Sequence, residues 1–321
     1  MQSSRTTRSA RDRAAQALDF GAQQANTIEP SVSSGLQDPT SDFRLLTSHF
    51  QDMAPAYDKL IAVDLDGTLL QPDNTITGEN LSAVREAERH GAIVVVVTGR
   101  PYVSADSIAR RFDLPKGPLV SFNGAVIRQP RGGKLLFQRL VPADLTMEVV
   151  EECIGHNLHL HFYLDDELFV SQYDDWARLY CERTEMSCRA VADMRDFAGK
   201  EAIKLLVVDR PETIDGYFQV YSRRWQHRLY VTRSMAEYIE FLSPQASKGH
   251  ALDWLIDYYQ VDRAKTLAIG DALNDLPLLE RAGAAVAMPA AGEELKAVAQ
   301  FVPPNQETGV AAAINWFLAR R

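Results

Sequence analysis

From Lys59 onwards, short runs of apolar residues alternate with segments whose apolar positions recur every third or fourth residue. Leu60-Ile61-Ala62-Val63 ends in Asp64, and Ala92 to Val97 ends in Thr98-Gly99-Arg100. Leu119-Val120-Ser121-Phe122 leads into Asn123-Gly124. Such runs predict strands buried on both faces. Between them, residues 78–90 place Leu81, Val84 and Ala87 on one helical face with charges opposite, and Val103 to Phe112 gives a second helix. Strand, helix, strand, helix, strand in this form predicts an α/β fold, a parallel sheet with helices on both faces.

The pattern returns near the C-terminus. Ala251 to Tyr259 reads as a helix, Thr266 to Gly270 as a strand, Leu276 to Ala282 as a helix and Ala284 to Met288 as a strand, with a last helix from Val310 to Leu318. Residues from roughly 130 to 240 differ. His159 to Leu164 alternates polar and apolar residues, as a sheet with one wet face should, and Asp165-Asp166-Glu167 predicts a hairpin turn into Leu168-Phe169-Val170. This middle reads as a second, α+β domain inserted into the first. Residues 1–56 are rich in Ser, Thr, Gln and Ala, lack a sustained apolar period and place Arg5, Arg8, Arg11 and Arg13 early. They read as a disordered or loosely structured extension, with a transit-like composition as the alternative.

Composition narrows the class. With 46% hydrophobic and 24% charged residues the chain is globular in type, and its net charge of −9 argues against binding nucleic acid or anionic membranes. No apolar run approaches the roughly 18–20 residues of a membrane span. Cys153, Cys181 and Cys188 show no CxxC spacing, which speaks against a disulfide framework or zinc site and for a reducing, cytoplasmic setting.

The candidate chemistry sits at strand ends. Asp64 and Asp66, two residues apart at the end of a buried strand, can point the same way, and Gly67 lets the backbone turn beside them. Gly270-Asp271-Ala272-Leu273-Asn274-Asp275 follows another buried strand, so its acids should reach the same sheet edge. Gathering Asp64, Asp66, Asp271 and Asp275 without a cation would be costly, and an all-oxygen set suits Mg²⁺. A helix-capping Asp explains Asp271 or Asp275 singly but not the set. Thr98-Gly99-Arg100 closes a strand before a helix, where a hydroxyl and backbone N–H groups can hold phosphate oxygens. Lys248 in Ser247-Lys248-Gly249 could neutralise a phosphate or be a solvated helix-start lysine.

These motifs in this order resemble the haloacid dehalogenase-like hydrolase superfamily, and within it the Cof-type, type IIB capped sugar-phosphate phosphatases. Asn123-Gly124-Ala125, Ala282-Gly283 with Val286-Ala287-Met288, and Thr308-Gly309-Val310-Ala311 match as well. The likeness runs from about residue 58 to the end. It departs at Ala272-Leu273, where a small residue such as Gly or Ser is common first, and at Pro289-Ala290. The resemblance implies a Rossmann-like core of residues 57–130 and 241–321, with a cap at 131–240 inserted after the third core strand.

By that resemblance Asp64 is the nucleophile and Asp66 the general acid and base. Thr98, Gly99, Lys248 and Asn274 would bind the phosphoryl group. Mg²⁺ would be held by Asp64, the Asp66 backbone carbonyl and Asp271, with Asn274 or Asp275 supporting directly or through water. The implied activity is hydrolysis of a small phosphorylated metabolite. A phosphomutase of the related capped branch, or a non-catalytic binding protein on the same scaffold, are the alternatives. His159, His161, Tyr163 and Lys204 are candidates for cap contacts with substrate, or plain sheet residues.

Overall fold

β1 (Lys59–Asp64) lies at the centre of a sheet because its five residues after Lys59 are all buried, on both sides. In the computed structural model, which describes residues 57–114 and 116–320, it pairs in parallel with β2 (Ala92–Val97) and with β12 (Thr266–Gly270). β3 (Leu119–Ser121) extends the parallel sheet beyond β2, and β13 (Ala284–Ala287) extends it beyond β12. Two antiparallel strands, β4 (Val126–Arg128) and β5 (Leu135–Gln138), complete seven strands in the order β13-β12-β1-β2-β3-β4-β5. Alternate residues serve opposite faces. Ile61, Val63, Val94 and Val96 pack against helices α1 (Gly78–Arg89), α2 (Tyr102–Arg111) and α9 (Gly309–Leu318). Leu60, Ala62, Ile93 and Val95 pack against α6 (Lys248–Tyr259), α7 (Leu276–Arg281) and α8 (Glu293–Val298). The α/β class and the helices on both faces are as expected. The call on residues 1–56 lies outside the described residues.

A second sheet is inserted beyond β3, between β5 and β12 in the chain: β6 (Leu160–Leu164), β7 (Glu167–Val170), β8 (Cys188–Ala190), β9 (Lys204–Val208), β10 (Tyr230–Thr232) and β11 (Tyr238–Leu242), in the order β10-β11-β9-β6-β7-β8. β5 lies beyond the division expected near 130 yet pairs with the core sheet, and β11 straddles the one near 240, continuing the cap sheet to Leu242. The Asp165-Asp166 turn joins β6 to β7, with Leu164 opposite Glu167 and Asp165 at φ 53°.

The wet face expected for His159 to Leu164 is not wet. His161 and Tyr163 are fully buried. Helix α4 (Asp175–Thr184) covers them: Tyr180 meets the His161 ring edge-on at 4.7 Å and accepts the Tyr163 hydroxyl at 2.8 Å. Core residue Phe122 packs edge-on against Tyr163 at 5.0 Å. Alternation marks two chemically different faces, and here the polar one is occupied by another layer. The opposite, apolar face of Leu160, Phe162, Leu205 and Phe241 packs on α3 (Ala143–Gly155) and α5 (Pro211–Arg224).

The turn after β3 brings the core sheet against the start of α6. Gly124 sits at φ 101°, and a Cβ there would lie 2.3 Å from the Ser247 carbonyl oxygen. Gly124→Ala should therefore lower stability by about 1–3 kcal/mol, the cost of a side chain in that conformation plus the displaced backbone. An unchanged urea midpoint would contradict this packing.

Candidate active site

Each acidic motif is placed by the strand before it. Asp64 ends β1, and Asp271 follows β12, whose Ile269 is level with Val63 across the parallel pair. Both therefore leave the sheet at its carboxyl edge, where open α/β sheets bind ligands. A tight turn, Leu273–Asp275, then carries Asn274 and Asp275. The turn is held by Asp275 itself, whose Oδ2 accepts the Asp271 and Ala272 backbone N–H groups at 3.0 and 3.1 Å. Residue 272 contributes only backbone here, which accounts for an Ala in that slot, and Leu273 points outward.

Carboxylate oxygens of Asp64, Asp271 and Asp275 lie within 4.8 Å of one another. Lys248, at the first position of α6, is inserted among them: Nζ donates to Asp64 Oδ1 at 2.6 Å and to Asp275 Oδ1 at 2.5 Å. Ser247 caps that helix by accepting the His250 N–H, so the lysine is fixed by a helix start. It is no solvated residue, its side chain being 1% exposed. Burial alone would lower its pKa, but the Asp275 and Asp64 charges outweigh that and hold it above the ordinary value. Burial, then the Asp275 charge, raises Asp64 well above the usual carboxylate range despite Lys248. The same two causes push Asp271 up to about 6, against a hydrogen bond from Thr68 Oγ1 at 2.8 Å. Gly67 is tight against this group, since a Cβ there would fall 2.3 Å from Asp271 Oδ2.

One ammonium does not balance three carboxylates, two of them buried and Asp271 partly so, and the two raised carboxyls mark the remaining charge deficit. The donor set is all oxygen, which fits a hard divalent cation. The Asp66 carboxylate stands apart from this cluster. It is gripped by Arg100, whose Nε donates at 2.8 Å and Nη2 at 2.6 Å, and Arg100 Nη1 also donates to the Arg183 carbonyl oxygen of the cap at 3.1 Å.

Thr98 and Gly99 follow β2 beside these residues, with Thr98 Oγ1 accepting the Arg100 N–H at 3.1 Å. Asp64, Asp66, Gly99, Arg100 and Asn274 form the floor of a cleft of about 70 Å³, and Tyr180, Arg183, Lys204 and Tyr238 of the cap form its roof. His159, His161 and Tyr163 are not among its lining residues; the two histidines pair with each other, Nε2 to Nε2, at 2.9 Å. Sequence reasoning missed the Arg100–Asp66 grip and the hydrogen bond that Asn123 Nδ2 donates to Glu240 Oε2 at 2.8 Å. A lone acid within the apolar run Tyr238 to Leu242 was the available signal for Glu240.

An acid cluster with a buried lysine at the carboxyl edge of a parallel sheet, beneath an inserted cap, defines a capped phosphoryl-transfer enzyme. Residues 61–314 match the haloacid dehalogenase-like hydrolase family, and the chain belongs to it, as a phosphatase of the Cof type. Among similar proteins, 5-amino-6-(5-phospho-D-ribitylamino)uracil phosphatase YitU of Bacillus subtilis is 31% identical over 273 residues, covering 81% of this chain and 97% of its own. HMP-PP phosphatase of Serratia proteamaculans is 28% identical over 260 residues, covering 78% and 90%. A haloacid dehalogenase-like hydrolase structure from B. subtilis superposes with a TM-score of 0.72 at 26% identity, over 80% of this chain and 99% of that one. No helix among the described residues is long and apolar enough to cross a membrane.

The raised carboxyls give a signed expectation. A carboxyl with a raised folded pKa costs stability once it ionises, so cation-free protein should lose stability as pH rises from 3.8 to about 6 through Asp271. The loss should be on the order of 2–3 kcal/mol. Mg²⁺ should restore it at higher pH. Melting curves in EDTA that stay flat across that span would contradict the charge deficit.

Proposed function

We propose that the chain hydrolyses a small phosphate monoester, a sugar phosphate or similar metabolite, with Mg²⁺ and through an aspartyl phosphate on Asp64. The observation that carries this reading is the buried Lys248 bridging Asp64 and Asp275 beside Asp271. The Asp64 and Asp271 carboxylates and the Asp66 backbone carbonyl would hold the cation, with Asp275 in support. Bound there, Mg²⁺ supplies positive charge to the acid cluster and to the phosphoryl oxygens.

Asp64 attacks phosphorus as its P–O bond to the leaving alcohol breaks, and Asp66 delivers a proton to that oxygen. Water then attacks the phosphoryl group, Asp66 takes its proton, and inorganic phosphate leaves with Asp64 regenerated. Lys248 opposes the burial that raises Asp64, favouring its ionised form together with a bound cation, and faces the transferring group with fixed positive charge. The backbone N–H groups and hydroxyl of Thr98-Gly99 receive phosphoryl oxygens. The Asp66 carboxylate gripped by Arg100 corresponds to the proton-accepting state of the second step; donation in the first requires that grip to loosen. The leaving group would lie against Tyr180, Arg183 and Tyr238, so these cap residues would select the substrate. The B. subtilis and S. proteamaculans relatives are named for different phosphorylated metabolites, which supports a small metabolite and leaves its identity to the cap.

Inorganic phosphate release from a panel of monoesters, including the ribityl and pyrimidine types, tests this. Wild type should turn over at least one in Mg²⁺ and none in EDTA, and Asp64→Asn should lose at least about a thousandfold. Asp66→Asn should lose roughly 10²–10⁴, most for poor leaving groups. Equal rates in Asp64→Asn would remove the nucleophile.

A further inference from the structure

Lys204 at the head of β9 and Glu240 in the middle of β11 are buried together on the cap face that meets the core, as an ion pair of 2.9 Å. Both reach across the cleft. Lys204 Nζ donates to the Gly99 carbonyl oxygen at 3.2 Å, and Asn123 Nδ2 donates to Glu240 Oε2 at 2.8 Å. Asn123 Oδ1 then accepts from Asn274 Nδ2, also at 2.8 Å. The other Glu240 oxygen accepts from the Ser234 hydroxyl.

The direction of this relay follows from the chemistry of its first member. A carboxylate beside an ammonium only accepts, so it takes the NH₂ end of Asn123. That turns the Asn123 oxygen towards Asn274 and takes the NH₂ end of Asn274 in turn. What remains is the Asn274 carboxamide oxygen. Asn274 is 3% exposed and lines the cleft, and its Oδ1 is buried without a hydrogen-bond partner among the described residues. A bare buried acceptor is costly unless something binds it. Phosphate oxygens are acceptors too and gain nothing from it, whereas a cation or its water does.

We propose that Glu240, acting through Asn123, is a positioning residue that holds the Asn274 carboxamide oxygen as an acceptor for a hydrated divalent cation. The cap's seat on the core and the cation site are then one hydrogen-bonded unit. This rests on the cation-dependent reading of the site, and of the two places that the family resemblance gives Asn274, beside the phosphoryl group or beside the cation, it favours the cation. Lys204 serves the seat of the cap while also lining the cleft.

Calorimetric titration with Mg²⁺ alone, and separately with inorganic phosphate in saturating Mg²⁺, tests the relay in wild type, Glu240→Gln and Asn123→Ala. Both variants should bind Mg²⁺ about tenfold more weakly, as loss of an outer partner of a metal ligand does. The double variant should be little worse than either, because both break one relay. Phosphate affinity should hold. Unchanged Mg²⁺ affinity would overturn the proposal, and so would weakened phosphate with unchanged Mg²⁺, which would make Asn274 a phosphate donor. If Glu240→Gln fails to fold, Asn123→Ala, which leaves the Lys204–Glu240 pair in place, decides alone. Wild type that binds Mg²⁺ but hydrolyses no monoester would sink the phosphatase reading and leave the relay standing.

Discussion

Three carboxylates brought within 4.8 Å of one another, two of them buried and Asp271 partly so, with one ammonium set between Asp64 and Asp275, are the constraint on which the rest of the molecule depends. Such a group is stable only if each member is fixed and each remaining lone pair has a partner. Parallel pairing of β1 with β12 fixes Asp64 and Asp271, and the first turn of α6 fixes Lys248. Asp275 closes its own turn by accepting two backbone N–H groups. The close approaches at Gly67 and Gly124 follow from the same demand, because the chain must pass the site with no Cβ in the way.

The cap meets this site through polar contacts that are themselves buried. Arg100 holds Asp66 with one side of its guanidinium and a cap carbonyl with the other. The Lys204–Glu240 pair seats the cap on Gly99 and Asn123. A cap held only by apolar contact would slide at little cost, whereas a seat made of directional bonds has one low-energy position. The contacts that seat the cap are therefore also contacts that hold Asp66 and Asn123.

Most of the core was legible because the sheet is buried on both faces. A strand such as Ala92 to Val97 carries one unmistakable pattern, and the motif after it must fall at the sheet edge. Asp64, Asp271 and Asp275 could be assigned to one place on that ground, whereas Lys248 joined them only through the family resemblance. The cap was harder. In His159 to Leu164 the alternation was correctly seen but its polar face was assigned to water, since no local pattern announces that Tyr180 and Phe122 will cover it. Asn123 and Glu240 are 117 residues apart, and their bond exists only because two sheets meet. Contacts of that kind are properties of the assembled layers, and a strand's own residues do not encode them.

The most direct measurement is mass analysis of the chain quenched during turnover of a monoester with a good leaving group, using wild type and Asp66→Asn. A good leaving group needs no acid, so the variant should form the intermediate and hydrolyse it slowly. One phosphoryl group, labile to hydroxylamine and carried by the peptide that contains Asp64, should accumulate in Asp66→Asn above wild type. Turnover with no phosphoryl group on the chain in either protein, or a phosphoryl group on any other residue, would contradict Asp64 as the carrier.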